Sequence, residues 1–250
     1  MFCLFKRNLI SFSLSWKSML MADVLDNLIW LSMFVFGFAA YMPDVQGVSY
    51  AIFVVPGYFI MAGFYQLGME ATYRLHAKLV HNPWWISLIA TPLGVRNILY
   101  NELLSVMFRG MIPVIVVYFL AFFVGLIENS LWFLLTLPLL FCLYAVYSSI
   151  SMAVTMFVKN DVNFIYFWVL GFSPVFLVSG AFYEKNRLPE FLRVLTELHP
   201  LSYVTQEIQS VMIFGNFNTM AYMLNCVIMV LITVYVMYLN ERQFKKRFLT

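Results

Sequence analysis

Charge is what this chain has least of. Asp, Glu, Lys and Arg make up 11% of its 250 residues, against about 25% in an ordinary soluble chain. A soluble protein of this size has too little interior for a sequence that is 63% hydrophobic and 19% aromatic. A soluble fold is excluded, and the chain is read as an integral membrane protein. Cysteine is also scarce. Cys3, Cys142 and Cys226 are scattered, which gives neither a disulfide framework nor a metal-ligand spacing. There is no GxxxxGK[ST] loop and no Gly-Lys pair at all, so the chain does not hold ATP in a phosphate loop. HExxH and GxSxG are missing, and no serine has His and acid partners at a recognisable spacing. The carboxylates read within or near the spans are Glu70, Glu102 and Glu128, and His76 and His81 are five apart and read as loop residues. That is too little for a membrane enzyme, which gathers acids or histidines at one depth. No catalytic residue, bound cofactor or metal is expected. Residues 1–125 and 126–250 show no repeated half, and no cleavable signal peptide is expected in "MFCLFKRNLISFSLSWKSML".

What the chain does have is apolar runs of bilayer length. They predict an all-α membrane protein of one domain, with six spans at 25–41, 50–73, 98–126, 131–158, 162–182 and 220–240. The third and fourth are longer than a bilayer needs, which predicts tilt or a break at Pro113 and Pro138. With the N-terminus inside, the cytoplasmic side receives Lys6, Arg7, Lys17, Arg74, Lys78, Arg96, Lys159, Arg242, Lys245, Lys246 and Arg247, whereas Lys185, Arg187 and Arg193 lie outside. This asymmetry predicts two cytoplasmic termini in a multi-pass protein. The basic tail reads as an anchor on anionic lipid, not as a nucleic-acid site.

Three polar features stand out against this background. Over residues 1–21, Phe5, Leu9, Phe12 and Trp16 recur at helical spacing opposite Arg7, Ser11 and Ser15, predicting a helix that lies in the interface. Glu70 and Arg74 are four apart and suited to an ion pair. Glu102 and Arg109 are seven apart on one face of the third span. Arg109 is the costly one, at about 2.5–3.5 kcal/mol near mid-membrane. Two readings of it stay open: an ion-pair member that holds helices in register, or part of a polar substrate path. The third feature is "SGAFYEKNRLPEFLRVLTELHPLSYVTQEIQ", residues 179–209. There Leu188, Phe191, Leu192, Leu195 and Leu198 share one helical face, with Glu190, Arg193 and Glu197 on the other. Pro189 suits the first turn and Pro200 stops the helix before a second one begins. The pattern predicts two re-entrant helices within 183–216, their leucine faces sealed against the bundle and their charged faces in water.

These residues carry a family resemblance that covers nearly the whole chain. Ser179, Gly180, Phe182, Arg187, Leu188, Pro189, Pro200, Leu201 and Tyr203, together with Val55-Pro56-Gly57 and Arg109-Gly110, resemble the permeases of ABC type-2 exporters. The chain is most similar to the branch with the nodulation-factor and daunorubicin export permeases. The resemblance implies the membrane half of an exporter, two copies or a close pair, driven by a separate cytoplasmic ATPase subunit that binds ATP and Mg. It implies a coupling loop at 75–97, anchored by Trp84, Trp85 and Ile86. It also implies a gate that includes Arg187, Pro189, Pro200 and Tyr203. A substrate path at the dimer interface would use Arg109, Tyr166, Phe167 and Phe176. The cargo class is amphipathic: glycolipid, polysaccharide or hydrophobic drug. The membrane would be the cytoplasmic one. Two departures are visible: Trp84 and Trp85 stand where the family carries acids, and His199 where it carries Asn. An ion-coupled carrier is the competing class, and a lipid-acting enzyme the third.

Overall fold

The computed structural model describes residues 3–81, 88, 93–127, 130–158, 160–174, 179–184 and 188–248. Among them the chain is mostly helical and has no strand; Val45 and Val48 pair as an isolated bridge in one of the turns. Five helical stretches are long and apolar enough to cross a membrane: Leu20–Ala40, Tyr50–Val80, Gly94–Phe123, Leu131–Phe157 and Thr219–Arg247.

Helix α1 runs without interruption from Cys3 to Ser32 and continues through a π turn at Met33–Gly37 and a 3-10 turn at Phe38–Ala40. The residues read as an interfacial helix and those read as the first span therefore share one axis, because no proline or glycine separates them. Helix α2, Tyr50–Met69, starts where the Ser49 hydroxyl accepts the Ala51 amide. It passes through a π turn at Glu70–Arg74 into α3, Leu75–His81. Helix α4 spans Gly94–Phe123 and α5 spans Ser130–Phe157. Pro113 and Pro138 lie inside these helices, and neither breaks them. A proline removes one backbone donor and crowds one carbonyl, a local loss that packing on neighbouring helices can absorb.

After α5 the chain turns through Asp161–Asn163, one α-turn at Phe164–Tyr166 and a π stretch at Phe167–Phe172. Phe164 meets the rings of Tyr73 and His76, and Trp168 meets Tyr65. Farther on, Ala181 lies so close to Gly57 that a Cβ there would overlap the Ala181 backbone. The described residues at 160–174 and 179–184 thus meet α2 in the reverse order of its own course. Helix α6, Glu190–Leu198, and helix α7, Pro200–Phe214, follow, and then α8, Thr219–Phe248, whose first amides are capped by the Asn218 side chain.

Helices α5 and α8 run parallel. The Tyr222 hydroxyl donates to the Leu135 carbonyl at 2.8 Å, Asn240 donates to the Ser149 carbonyl at 2.9 Å, and Arg247 donates to the Thr155, Met156 and Val158 carbonyls at 2.8–3.1 Å. The last contact satisfies the open carbonyls at the end of α5. It also places the C-terminal end of the chain beside the end of α5. Tight packing binds α2 to α5, where a Cβ at Gly63 would strike the Tyr144 ring. The Tyr144 hydroxyl donates to the Phe59 carbonyl at 2.7 Å. The main core, built from α2, α4 and α5, includes Phe59, Ile60, Leu67, Ile98, Leu99, Val114 and Leu143.

Candidate functional site

One end of the bundle carries most of the basic residues, and its buried polar groups form a belt across three segments. Glu70, at the start of the π turn, accepts Arg74 and Arg109 on the same carboxylate oxygen, each at 2.8 Å. Arg109 is 5% exposed, and its guanidinium also sits 5.3 Å from the centroid of the Phe12 ring on α1. Two turns toward the start of α4, Glu102 is 2% exposed. It accepts Lys78 from α3 at 2.6 Å and the Asn8 amide from α1 at 2.8 Å. The same amide reaches the Ser105 hydroxyl at 2.9 Å, and Asn101 accepts the Phe5 backbone amide at 3.2 Å. A buried carboxylate is tolerable only with such partners. The π turn helps, because its widened backbone leaves carbonyls to be satisfied from outside. Thr155 on α5 donates to the Ala71 carbonyl at 2.7 Å.

Of the loop expected at 75–97, Leu75–His81 is helix α3, α4 begins at Gly94, and between them Leu88 is buried in the main core; residues 82–87 and 89–92 lie outside the described residues. Trp84, Trp85 and Ile86 lie outside the described residues. The expected Glu70–Arg74 pair is present. Arg109 reaches across to α2, not along α4 to Glu102, since the ridge of α2 offers it a carboxylate at helix-contact distance.

A second feature opens in the wall between α1 and α2, with Pro113 of α4 as its floor. It is a cleft of about 550 Å³ whose polar lining is Asp23, Asp26, Asn27, Tyr58, Tyr65 and Gln66, with Trp30 alongside. Asn27 is fixed from both sides: it donates to the Asp23 carbonyl at 2.7 Å and accepts the Tyr58 hydroxyl at 3.1 Å. No Lys or Arg is among the described residues that line the cleft. Arg109 belongs to the belt and does not line it. Trp168, whose ring meets that of Tyr65 at 5.5 Å, brings the 160–174 segment to the cleft's edge. Tyr166 beside it is 63% exposed, Phe167 is partly buried, and Phe176 is outside the described residues. The sequence reading missed Asp23 and Asp26. Their signal was available, two acids three apart at the head of an apolar run: Asp23 lies between the helix expected at 1–21 and the span expected at 25–41, and Asp26 at the start of that span.

The far end carries the two short helices. Pro189 caps α6 and Pro200 opens α7 at its first turn. His199 between them accepts the Leu201 amide on Nδ1 at 3.2 Å, which makes it the N-cap of α7 in the way an Asn would be. That bond requires an unprotonated Nδ1, and burial holds the His199 ring below the ordinary histidine range. Tyr203 is exposed on α7, and Arg187 is outside the described residues. The leucine face of α6 is only partly covered by this chain. Phe191 is 72% exposed and Leu195 is exposed, Leu188 and Leu192 are half-buried, and Thr196 is buried. Part of the apolar face of the helix is thus turned outward.

A multi-pass helical bundle with a charged belt around one loop and a polar cleft in its wall is, in class, a membrane transport subunit. The family model for the ABC-2 type transporter matches residues 1–213, and the chain belongs to that family. It is 25% identical over 206 residues to nodulation protein J of Rhizobium meliloti (strain 1021), covering 80% of this chain and 78% of that protein. The same protein of Sinorhizobium fredii (strain NBRC 101917 / NGR234) is 24% identical over 206 residues with the same shares covered. That of Azorhizobium caulinodans (strain ATCC 43989 and its equivalents) is 21% identical over 212 residues, covering 84% of this chain and 83% of its own length.

Proposed function

We propose that the chain is the membrane half of an ATP-driven exporter of an amphipathic cargo, working as a homodimer in the cytoplasmic membrane with a separate ATPase subunit that binds ATP and Mg. The belt is the observation that carries this reading. Nothing in passive membrane anchoring calls for two buried carboxylates, each bridging separate segments, around a single loop. Force on the loop at 82–92 would pass through Lys78–Glu102 and Asn8 to α1 without first breaking those contacts. Trp84, Trp85 and Ile86 are the anchors assigned to the ATPase, since a few buried aromatics dominate small interfaces.

The topology in this reading has six crossings and two cytoplasmic termini. The parallel course of α5 and α8 supports a further crossing between them, and the chain between the described residues 160–174 and 179–184, which meet α2 in reverse order, is the stretch assigned to it. The gate is assigned to α6 and α7, with Arg187, Pro189, Pro200 and Tyr203. Tyr166, Phe167 and Phe176 are assigned to the substrate path beside the cleft. The outward apolar face of α6 suits contact with lipid or the second copy.

Purification of the tagged chain in mild detergent, with mass spectrometry of what accompanies it, tests the division of labour. A stoichiometric subunit with a phosphate loop is expected. A chain that purifies alone in several detergents would count against the exporter. Trp85→Asp should leave the complex assembled and abolish cargo-stimulated hydrolysis; unchanged stimulation would remove Trp85 from the interface.

One observation favours the ion-coupled carrier as the second reading. Asp23 and Asp26 face a cleft without a cation among its described lining residues, as a proton-coupled site would. Vanadate separates the two: it stops the exporter, whereas a proton uncoupler alone stops the carrier.

A further inference from the structure

Both stretches that carry the belt's interhelical charge pairs hold an acid followed by a base. On α4 these are Glu102 and Arg109, seven residues apart; along α2 and α3 they are Glu70 and Lys78, eight apart. The stretches run antiparallel, so Glu70 meets Arg109 at 2.8 Å and Lys78 meets Glu102 at 2.6 Å. Seven residues of a straight α-helix rise about 10.5 Å and end about 20° from where they began. Eight rise about 12 Å and end about 80° away. Two straight helices could therefore close one of these pairs but not both.

The π turn at Glu70–Arg74 removes the mismatch. The Leu75 amide reaches the Glu70 and Thr72 carbonyls, five and three residues back, and passes over Ala71. One extra residue is thus taken up within a single turn, and Glu70 and Lys78 are placed as if seven apart. The helices have little slack to absorb it elsewhere: an added Cβ at Gly110 would lie 3.2 Å from Leu67 and 3.4 Å from the Gly63 carbonyl. The Ala71 carbonyl, released by the turn, accepts the hydroxyl of Thr155 on α5 at 2.7 Å, and both residues are fully buried. A helical threonine ordinarily bonds back along its own helix. Thr155 lies 3.0 Å from the Ser151 carbonyl, yet it sits closer to Ala71.

We propose that Thr155 is a positioning residue for the belt. By holding the Ala71 carbonyl outside the α-helical ladder it keeps the π turn, and through the turn it sets the angle at which α3 presents Lys78 to Glu102. A helix that contributes no charge to the belt thereby fixes how the segment leading toward Leu88 is turned. The register stands on the contacts alone; its consequence for transport rests on the exporter reading.

The register is tested on the intact preparation in lipid nanodiscs, with neither ATP nor cargo. Thr155→Val keeps the shape of the side chain and removes the donor. Hydrogen exchange at the amides of 75–81 should rise about tenfold, the effect of one buried acceptor left unpaired. Lys78→Met should lower the thermal midpoint of the parent and change that of Thr155→Val little, because the pair is already out of register. Thr155→Ser keeps the hydroxyl and should restore both readings. Deletion of Tyr73 supplies the second arm. It leaves Glu70 and Lys78 seven apart in a plain α-helix, so both pairs close without a π turn, and Thr155→Val should then alter neither reading. The lost ring contact of Tyr73 with Phe164 is common to every chain in that arm. A change that merely loosened the core would act equally with and without Tyr73. The proposal is overturned if Thr155→Val leaves exchange and the effect of Lys78→Met unchanged, or if Thr155→Ser fails to restore them. Equal damage by Thr155→Val in the deletion chain would overturn it as well. So would a deletion chain that does not fold, since seven residues of plain α-helix should suffice. Export per ATP hydrolysed, measured separately on the complex, should fall in Thr155→Val and recover with the deletion. Failure of that ratio to follow, with the register readings as expected, would count against the exporter reading and not against the register.

Discussion

The two ends of the molecule are held together by opposite means. At the basic end, charge-assisted hydrogen bonds run between elements: α1 to α4, α3 to α4, and α2 to α4. At the far end, the described ion pair of α6 stays within its own helix, Arg193 to Glu197 at 4.0 Å, with both side chains exposed. The contacts between the described elements there are mainly apolar packing: Leu201, Val204 and Ile208 of α7 are buried in the main core and Phe182 stacks on Phe34, beside the close approach of Ala181 to Gly57 and a long amide-to-carbonyl bond from Gln209. Buried charged bonds strengthen in a low dielectric and become costly to break singly. Exposed pairs contribute little and release easily. One end is therefore cross-linked by buried charge and the other held by apolar packing, with its exposed ion pair adding little.

The sharpest way to break this comparison is Glu70→Gln. It removes the shared acceptor of two guanidiniums and leaves Arg109 buried without its counter-charge, a loss of about 3–5 kcal/mol. The variant should lose most of its monodisperse fraction after mild heating in detergent. Glu70→Gln combined with Arg109→Gln should recover much of that fraction, because the buried charge is gone as well. A single variant as heat-stable as the parent would mean that the belt does not hold this end.

Lys78→Met acts at the belt's edge. Lys78 is about one-fifth exposed, so its loss is milder for the fold, and Glu102 keeps Asn8. The expected effect is on coupling: export per ATP hydrolysed falls about tenfold, within the usual range of coupling energies, while hydrolysis persists. Equal falls in both rates would place Lys78 in assembly instead. At the far end, Gly57→Ala should do the reverse of Glu70→Gln. The added Cβ displaces the 179–184 segment, so export should drop several-fold with the melting temperature shifted by only a few degrees, as about 1 kcal/mol implies in a chain of this size. A large stability loss there would erase the distinction between the ends.

The bundle itself was legible because its signal is additive: twenty apolar residues in a row leave few alternatives. The Glu70–Arg74 pair was legible for the same local reason, as spacing along a helix fixes it. The partners of Arg109 and Glu102 were not, because they come from helices whose contacts no spacing reveals. The continuity of α1 was not legible because the interfacial pattern over 1–21 and the apolar run from 25 were read as separate elements, when one helix carries both, with Asp23 and Asp26 on its cleft side. The amphipathic pattern of α6 identified the helix and its two proline ends but misjudged where its apolar face points. Periodicity states that a face exists and does not say what covers it.

The smallest expected effect sits at the hinge between α6 and α7, and it sharpens the comparison without disturbing the fold. His199 caps α7 through an unprotonated Nδ1. Its ordinary value is 6.5, and burial lowers it. The neutral ring is thus the folded form: the cap is complete above pH 6.5 and is lost as the pH falls through the lowered value. An N-cap contributes about 1 kcal/mol, too little to unfold the chain but enough to fray the first turn of α7. Asn makes the same bond and does not titrate. Hydrogen exchange at residues 201–203, compared between the parent and His199→Asn at each pH, should agree at pH 7.5 and diverge at pH 5, with the parent exchanging faster. Matching exchange at both values would mean that the histidine stays neutral throughout or that its bond does not hold the turn. Divergence would show that the first turn of α7 loosens on the protonation of one ring.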